Sequence, residues 1–281
     1  MSWQLLLAIS IISISIANLY QRVAMKEEAS DPFAGAIIFQ IILAILTGVF
    51  ALLIRGINFP PVNLIGYFGI STVLYGLGTL SYFKAIKTIE ASESTILASI
   101  GSVVTLVTAY IFLGERLNLQ QLVGVVFVLI SVSIISLKKG LKFNKGVLFS
   151  ILGTSFYGLA VTNDVYVLRH FDALSYTPIM SLLPGIFILL LKPSSIISII
   201  ETIRKPLMKP LILYCFFYGI QAITYYAALE NGALASRTTV IYKSEIFITV
   251  MLAAIFLNER SNMKQKIFAT VISTIGVILL I

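Results

Sequence analysis

The stretch IFLGERLN (Ile111–Asn118) returns 144 residues later as IFLNERSN (Ile255–Asn262). Carried upstream without a gap, the same shift sets Tyr82, Ala91, Ser92, Thr95, Thr105 and Ala109 on Tyr226, Ala235, Ser236, Thr239, Thr249 and Ala253. Apolar composition does not by itself repeat a charged Glu-Arg pair at such spacing. The chain therefore reads as two copies of one unit.

Around this repeat the sequence is too apolar for a water-facing surface. Of its 281 residues, 58% are hydrophobic and only 11% are charged, whereas soluble domains carry roughly 25% charged residues. Ten continuous apolar runs predict ten transmembrane helices, since about 20 helical residues cross the roughly 30 Å hydrocarbon layer. A β-barrel would show short alternating segments instead. The expected spans are Trp3–Tyr20, Pro32–Ile54, Val62–Phe83, Ala91–Leu113, Leu117–Leu137, Gly146–Leu168, Ser175–Leu191, Pro210–Leu229, Ala233–Leu257 and Met263–Ile281. The first lacks a basic leader and a small-residue cleavage pattern, so it reads as a retained helix. Residues 1–137 form the first unit, 138–145 a basic linker and 146–281 the second. In the longest loop, SSIISIIETIRK is amphipathic and expected to lie along the interface.

Five spans per unit is an odd number, so the second copy enters the membrane inverted. In that architecture a solute site forms near the midplane, between the halves. The connections after spans 1, 3, 5, 7 and 9 share one face, the first face, which carries fifteen Lys and Arg against four on the second. The positive-inside rule then puts the first face in the cytoplasm and both termini outside.

The segments ending in Glu-Arg resemble a known family. GSVVTLVTAYIFLGERLNLQQLVGVVFVLISVSII (101–135) is similar to the closing half of an EamA domain, the unit of drug/metabolite transporters. SEIFITVMLAAIFLNERSNMKQKIFATVISTIGVILL (244–280) is similar to the same half. YFKAIKTIEASESTIL (Tyr82–Leu97) and YYAALENGALASRTTVI (Tyr225–Ile241) resemble the family's join between helices 3 and 4. The resemblance implies two EamA repeats and carriage of a small solute, with helices 1, 3, 4, 6, 8 and 9 lining the cavity. It also implies cytoplasmic termini, opposite to the charge count. Where the family commonly has Pro in helices 4 and 9, this chain has Ser102 and Ile246; Glu245 matches the acid that often precedes the second Pro.

Charged residues at membrane depth are costly and rarely face lipid. Lys243 and Glu245 fall near the centre of span 9, where Lys243 would attract an anionic or zwitterionic solute and Glu245 could carry a coupled proton. A structural ion pair is the alternative for both. Asp164 and Arg237 fall near the second face, as a gate pair or as interfacial charges reaching headgroups. Tyr75, Tyr157, Tyr218, Gln221, Tyr225 and Ser99 are further candidates for substrate contact, with packing as the competing role. Tyr218, Gln221 and Tyr225 are spaced i, i+3, i+7 and share one helix face. Glu115–Arg116 and Glu259–Arg260 read as turn-stabilising pairs.

One His (His170) and one Cys (Cys215) leave no metal cluster or nucleophile–base set, so neither an enzyme nor a metal or other cofactor is expected. No Walker A motif is present, so ATP does not drive the protein directly. The net charge of +8 suits anionic lipid, and no segment suits nucleic acid. The expected function is secondary transport of a small metabolite, such as an amino acid or organic anion, by alternating access. A proton or an exchanged solute would couple it. The alternative is a flippase for a lipid-linked solute. The partners are then the solute and the bilayer, for a monomer or a homodimer.

Overall fold

The computed structural model describes residues 2–26, 30–113, 118–136, 144–168, 170–204, 206, 208–230, 242 and 244–279. Helix α1 (Trp3–Lys26) precedes α2 (Pro32–Ile54), whose start follows from local chemistry. The Asp31 carboxylate accepts the Phe33 N–H at 3.0 Å, and Pro32 fills a first-turn position that needs no donor. A 3₁₀ turn (Val62–Leu64) leads into α3 (Ile65–Ile86).

The fourth apolar run is broken. It forms α4 (Ala91–Leu97) and α5 (Ile100–Leu113), separated at Ala98–Ser99. No proline is involved. Ser99 Oγ donates to the Ile96 carbonyl at 2.6 Å, and the backbone shifts to i→i−3 bonds at Ser99, Gly101 and Ser102. Serine back-bonding and a glycine weaken the α-helix enough to break it here.

Then come α6 (Leu119–Ser136), α7 (Lys145–Leu168) and α8 (Ala173–Leu191). Asp172 caps α8, accepting from Ser175 N at 2.8 Å. Helix α9 (Ser195–Ile203) meets α10 (Met208–Glu230) at 96°. It turns Ile196, Ile197, Ile200 and Ile203 outward while burying Ser195 and Thr202, the arrangement expected of an interfacial helix. Helices α11 (Glu245–Phe256) and α12 (Met263–Leu279) close the chain. Glu245 is therefore in a helix's first turn, not mid-helix as the sequence suggested.

Among the described residues, six stretches are long and apolar enough to cross a bilayer: α1, α2, α3 with its 3₁₀ turn, α4–α5, α7 and α8. The α9–α10 pair passes jointly, while α6 and α11 are shorter apolar helices. Large apolar side chains such as Leu53, Phe59, Ile111 and Phe112 point outward, as lipid contact requires.

The main packing partners are α1 with α10, α3 with α7, α2 with α8 and α6 with α12. Each pair joins the two sequence repeats, and exchanging equivalent helices maps the set onto itself. Equivalent helices also run antiparallel. Lys192 meets Asp31 at 3.9 Å at one end of the α2–α8 pair, and Asn58 Nδ2 meets Asp172 at 3.0 Å at the other. In α6–α12, Gln265 Nε2 donates to Ile134 O at 2.5 Å, while Gly276 lies against Gly124.

Close approach depends on small residues, since lipid supplies little hydrophobic drive between helices. Where α5 crosses α7, a Cβ on Gly158 would lie 2.6 Å from Gly101 O. Thr108 and Thr162 hydroxyls, 2.6 Å apart, bind the same crossing. Gly158→Ala is thus expected to cost about 1–3 kcal/mol through overpacking, read as a lower thermal midpoint in detergent. Gly66→Ala, with open space at its Cβ, is the control and should differ little. Equal midpoints for the two variants would contradict this crossing.

Candidate functional site: a tyrosine-lined cavity

A cavity of about 280 Å³ opens between the repeats. Helix α2 contributes Phe39, Gln40 and Leu43; α3 contributes Tyr75 and Thr79; α7 contributes Tyr157 and Asp164. Helix α8 adds Tyr176, Thr177, Met180 and Ser181, and α10 adds Tyr218, Gln221, Ala222 and Tyr225. Tyr242 completes the described wall.

Two hydrogen-bonded groups order these walls. Gln40 Nε2 donates to Thr79 Oγ1 at 2.8 Å, which is 2.9 Å from the Tyr157 hydroxyl, tying α2, α3 and α7 together. Asp164 accepts from Ser71 Oγ at 2.9 Å and from the phenols of Tyr75 and Tyr176. Asn163 Nδ2 supports the same group through Ser71 Oγ at 2.8 Å and Tyr67 O at 2.9 Å. Asp164 is only 8% exposed, which excludes the reading of an interfacial charge reaching headgroups.

Aromatic packing closes the cavity toward the first face. Phe39 stacks on Tyr214 at 4.7 Å between centroids, with Tyr218 edge-on at 5.0 Å and Phe83 at 5.9 Å. Toward the second face the space continues. A smaller cavity of about 210 Å³ shares Thr177 and Ala222 and reaches Arg55 and Ala173 at the helix ends.

Beyond the aromatic floor, the first-face connections lock together. Arg22 Nη1 donates to Ile86 O at 2.6 Å and Lys87 O at 3.0 Å, and its Nε lies 3.5 Å from Glu259. Glu259 reaches from the second repeat to the start of α4, accepting from Ala91 N at 3.3 Å and Ser92 Oγ at 3.2 Å. Lys266, wholly buried, pairs with Glu90 and donates to Glu259 O at 3.0 Å. Ser261 Oγ donates to Glu90 at 2.7 Å, and Lys87 Nζ to Ser30 O at 2.5 Å.

This corrects the turn-pair reading of Glu259–Arg260. Arg260 Nε does bind a helix-end carbonyl, Ala254 O at 3.2 Å, but Glu259 instead bridges the repeats. The turn itself needs Asn258 at φ +57°, a left-handed position that asparagine and glycine tolerate best. Gly114 holds the matching place in the first repeat's sequence.

Six candidates thus share one cavity: Tyr75, Tyr157, Asp164, Tyr218, Gln221 and Tyr225. Two lie elsewhere. Ser99 bonds its own helix, and Glu245 faces α1, accepting from Asn18 Nδ2 at 3.4 Å and Thr249 Oγ1 at 3.3 Å. Lys243, Arg237 and the Glu115–Arg116 pair lie outside the described residues. The described wall also departs from the helix set implied by the resemblance. Spans 2 and 7 contribute, whereas spans 1 and 4 do not, because α1 packs on α10 and α5 on α7. Gln40 and Tyr176 were missed for that reason, although a glutamine inside an apolar span was itself a signal; Thr79, on span 3, was missed because a threonine in an apolar helix reads as packing.

Comparisons with known proteins supply a family. The model of a family described as EamA-like transporters matches residues 1–137 and 144–281. An uncharacterized protein of Methanocaldococcus jannaschii is 30% identical over 107 residues, 38% of this chain and 78% of its own. A Sinorhizobium sp protein named only as an uncharacterized transporter is 29% identical over 131 residues, 45% of this chain and 91% of its own. One crystal structure, 15% identical, covers 99% of this chain and 96% of its own at a TM-score of 0.67, a likeness of fold.

Burial pushes the Glu259 carboxyl above its ordinary range and neighbouring Glu90 adds to this, against the Ala91 and Ser92 N–H groups and Arg22. Its contribution to stability is then fully present below the unfolded value and is lost as pH rises through the raised folded value. The wild-type midpoint, measured against Glu259→Gln, should fall as pH rises through the mildly acidic range. A difference that does not vary with pH would refute this placement of the carboxylate.

Proposed function

Starting from the fact that the chain belongs to the EamA-like transporter family, within the drug/metabolite transporter superfamily, we propose that it is a secondary transporter working by alternating access. The family is one of multi-pass membrane transporters rather than enzymes. The reading assigns ten spans to two inverted five-helix repeats, residues 1–137 and 146–281, joined by the basic linker 138–145. The antiparallel pairing of equivalent helices supports this. Span 9 includes positions outside the described residues.

The observation that carries the proposal is an asymmetry. A cavity between the repeats is closed by aromatic packing and ion pairs at one face and continues toward the other. Alternating access then requires the Arg22–Glu259 and Lys266–Glu90 contacts to part as the opposite end narrows. The Lys and Arg bias assigns the closed face to the cytoplasm and the open one, with both termini, to the outside.

The solute is a small polar metabolite, since about 280 Å³ lies just below the roughly 300–1,000 Å³ typical of ligand pockets and Gln40, Thr79, Asp164 and Gln221 supply polar groups to its wall. Tyr75, Tyr157, Tyr218, Gln221 and Tyr225 are the proposed contacts, with Lys243, outside the described residues, as a further one for the acid group of a zwitterionic solute. A proton or exchanged solute supplies the drive, Glu245 being the proton site.

Thr177 lines both cavities. In a Cys215→Ser background, Thr177→Cys should react with a membrane-impermeant maleimide supplied from the second face in proteoliposomes. Tyr157→Ala and Gln221→Ala should each cut solute uptake at least tenfold while leaving expression unchanged. Labelling from the first face alone would overturn the proposed open side, and unaffected uptake would remove the cavity from the transport path.

A further inference from the structure

Asp164 is the one charged residue among the described residues that line the main cavity. The carboxylate lies on the cavity wall, almost wholly buried, and its recorded donors are the neutral hydroxyls of Ser71, Tyr75 and Tyr176. Those three fill most of the four or so acceptor positions of a carboxylate, leaving about one for a further donor. Neutral hydrogen bonds orient a buried anion but do not cancel its charge, and at membrane depth an uncompensated charge is costly.

The described lining supplies no compensating cation. No Lys or Arg lines the main cavity among the described residues, and Arg55 in the smaller one acts on Asp172. Aromatic rings do surround the space. Tyr157, Tyr218, Tyr225 and Phe39 present π-faces or edges to it, beside the two phenols bound to Asp164. Ring faces attract cations by about 0.5–2 kcal/mol each, most strongly where water is excluded. The carboxylate repels an anion, and ring faces near it favour a positively charged nitrogen carrying an apolar body.

We propose that Asp164 is the recognition point for a protonated amine or quaternary ammonium group on the transported solute, with the tyrosine rings holding the attached apolar part. This rests on the cavity being the solute path. It narrows the solute to amines, ammonium compounds and amino acids and removes simple organic anions. Ser71, Tyr75 and Tyr176 are positioning residues that aim the carboxylate, and Asn163 fixes Ser71.

Two probes of matched shape and opposite charge test the assignment: phenethylamine, cationic at pH 7, and 3-phenylpropionate. With the purified full chain in detergent, phenethylamine should raise the thermal midpoint in a dose-dependent way and 3-phenylpropionate should not. Calorimetric affinity for phenethylamine should fall at least tenfold in Asp164→Asn. Should that variant not fold, Tyr218→Leu serves instead and should weaken the same binding severalfold. A preference for 3-phenylpropionate, undiminished binding in a folded Asp164→Asn protein, or binding of neither probe by the wild type would each overturn the proposal. The Thr177→Cys labelling pattern separates these failures from failure of the transport reading, because it depends on access and not on charge.

Discussion

The structure depends on each repeat packing against the other more than against itself. Four helix pairs, α1–α10, α3–α7, α2–α8 and α6–α12, all cross between repeats. In lipid, apolar faces gain little by meeting one another, so association relies on close backbone approach and on polar groups that lipid cannot satisfy. The Gly78–Gly153, Gly101–Gly158 and Gly124–Gly276 approaches supply the first. The Gln40–Thr79–Tyr157 chain and the hydroxyls around Asp164 supply the second. Neither repeat could bury its polar stripe alone.

The same constraint makes the cavity. Polar side chains turned from lipid collect where the repeats meet, and helix crossings held by glycines leave the middle open. The two ends are then held differently. The Arg22, Glu259, Glu90 and Lys266 contacts lie at the first face, whereas the second is bridged between α2 and α8 by Asn58, Asp172 and Ser175. Burying Lys266 requires Glu90 and the Glu259 carbonyl beside it, so this seal is costly to break halfway. Such a seal suits two discrete arrangements.

The sequence showed the architecture well because a repeat and an apolar period are linear signals. The Glu-Arg segments marked the two units, and Tyr218, Gln221 and Tyr225, spaced i, i+3, i+7 on α10, proved to share the cavity. The break at Ala98–Ser99 was not legible: it comes from serine back-bonding, which leaves no single-residue mark as proline does. Asp164 was found by its charge, yet its environment arises from α3, far away in sequence, and from a turn that brings α8 back beside it. Gln40 and Tyr176 were passed over because the resemblance directed attention to other helices. Glu259 was read locally, as a turn residue, because nothing near it in sequence reveals that it caps α4 across the repeat boundary.

In the proposed cycle the first-face contacts part as the opposite end of the cavity narrows, the α1–α10 and α3–α7 pairs rocking against each other. At the first face they touch through Arg22 and the Ile86 and Lys87 carbonyls. Distance distributions between spin labels at Val23 and Thr88 report that end, and labels at Gln4 and Asn63 report the other. Addition of a transported solute should lengthen the first distance and shorten the second in one concerted shift. Distances that stay fixed, or that lengthen together at both ends, would contradict the account.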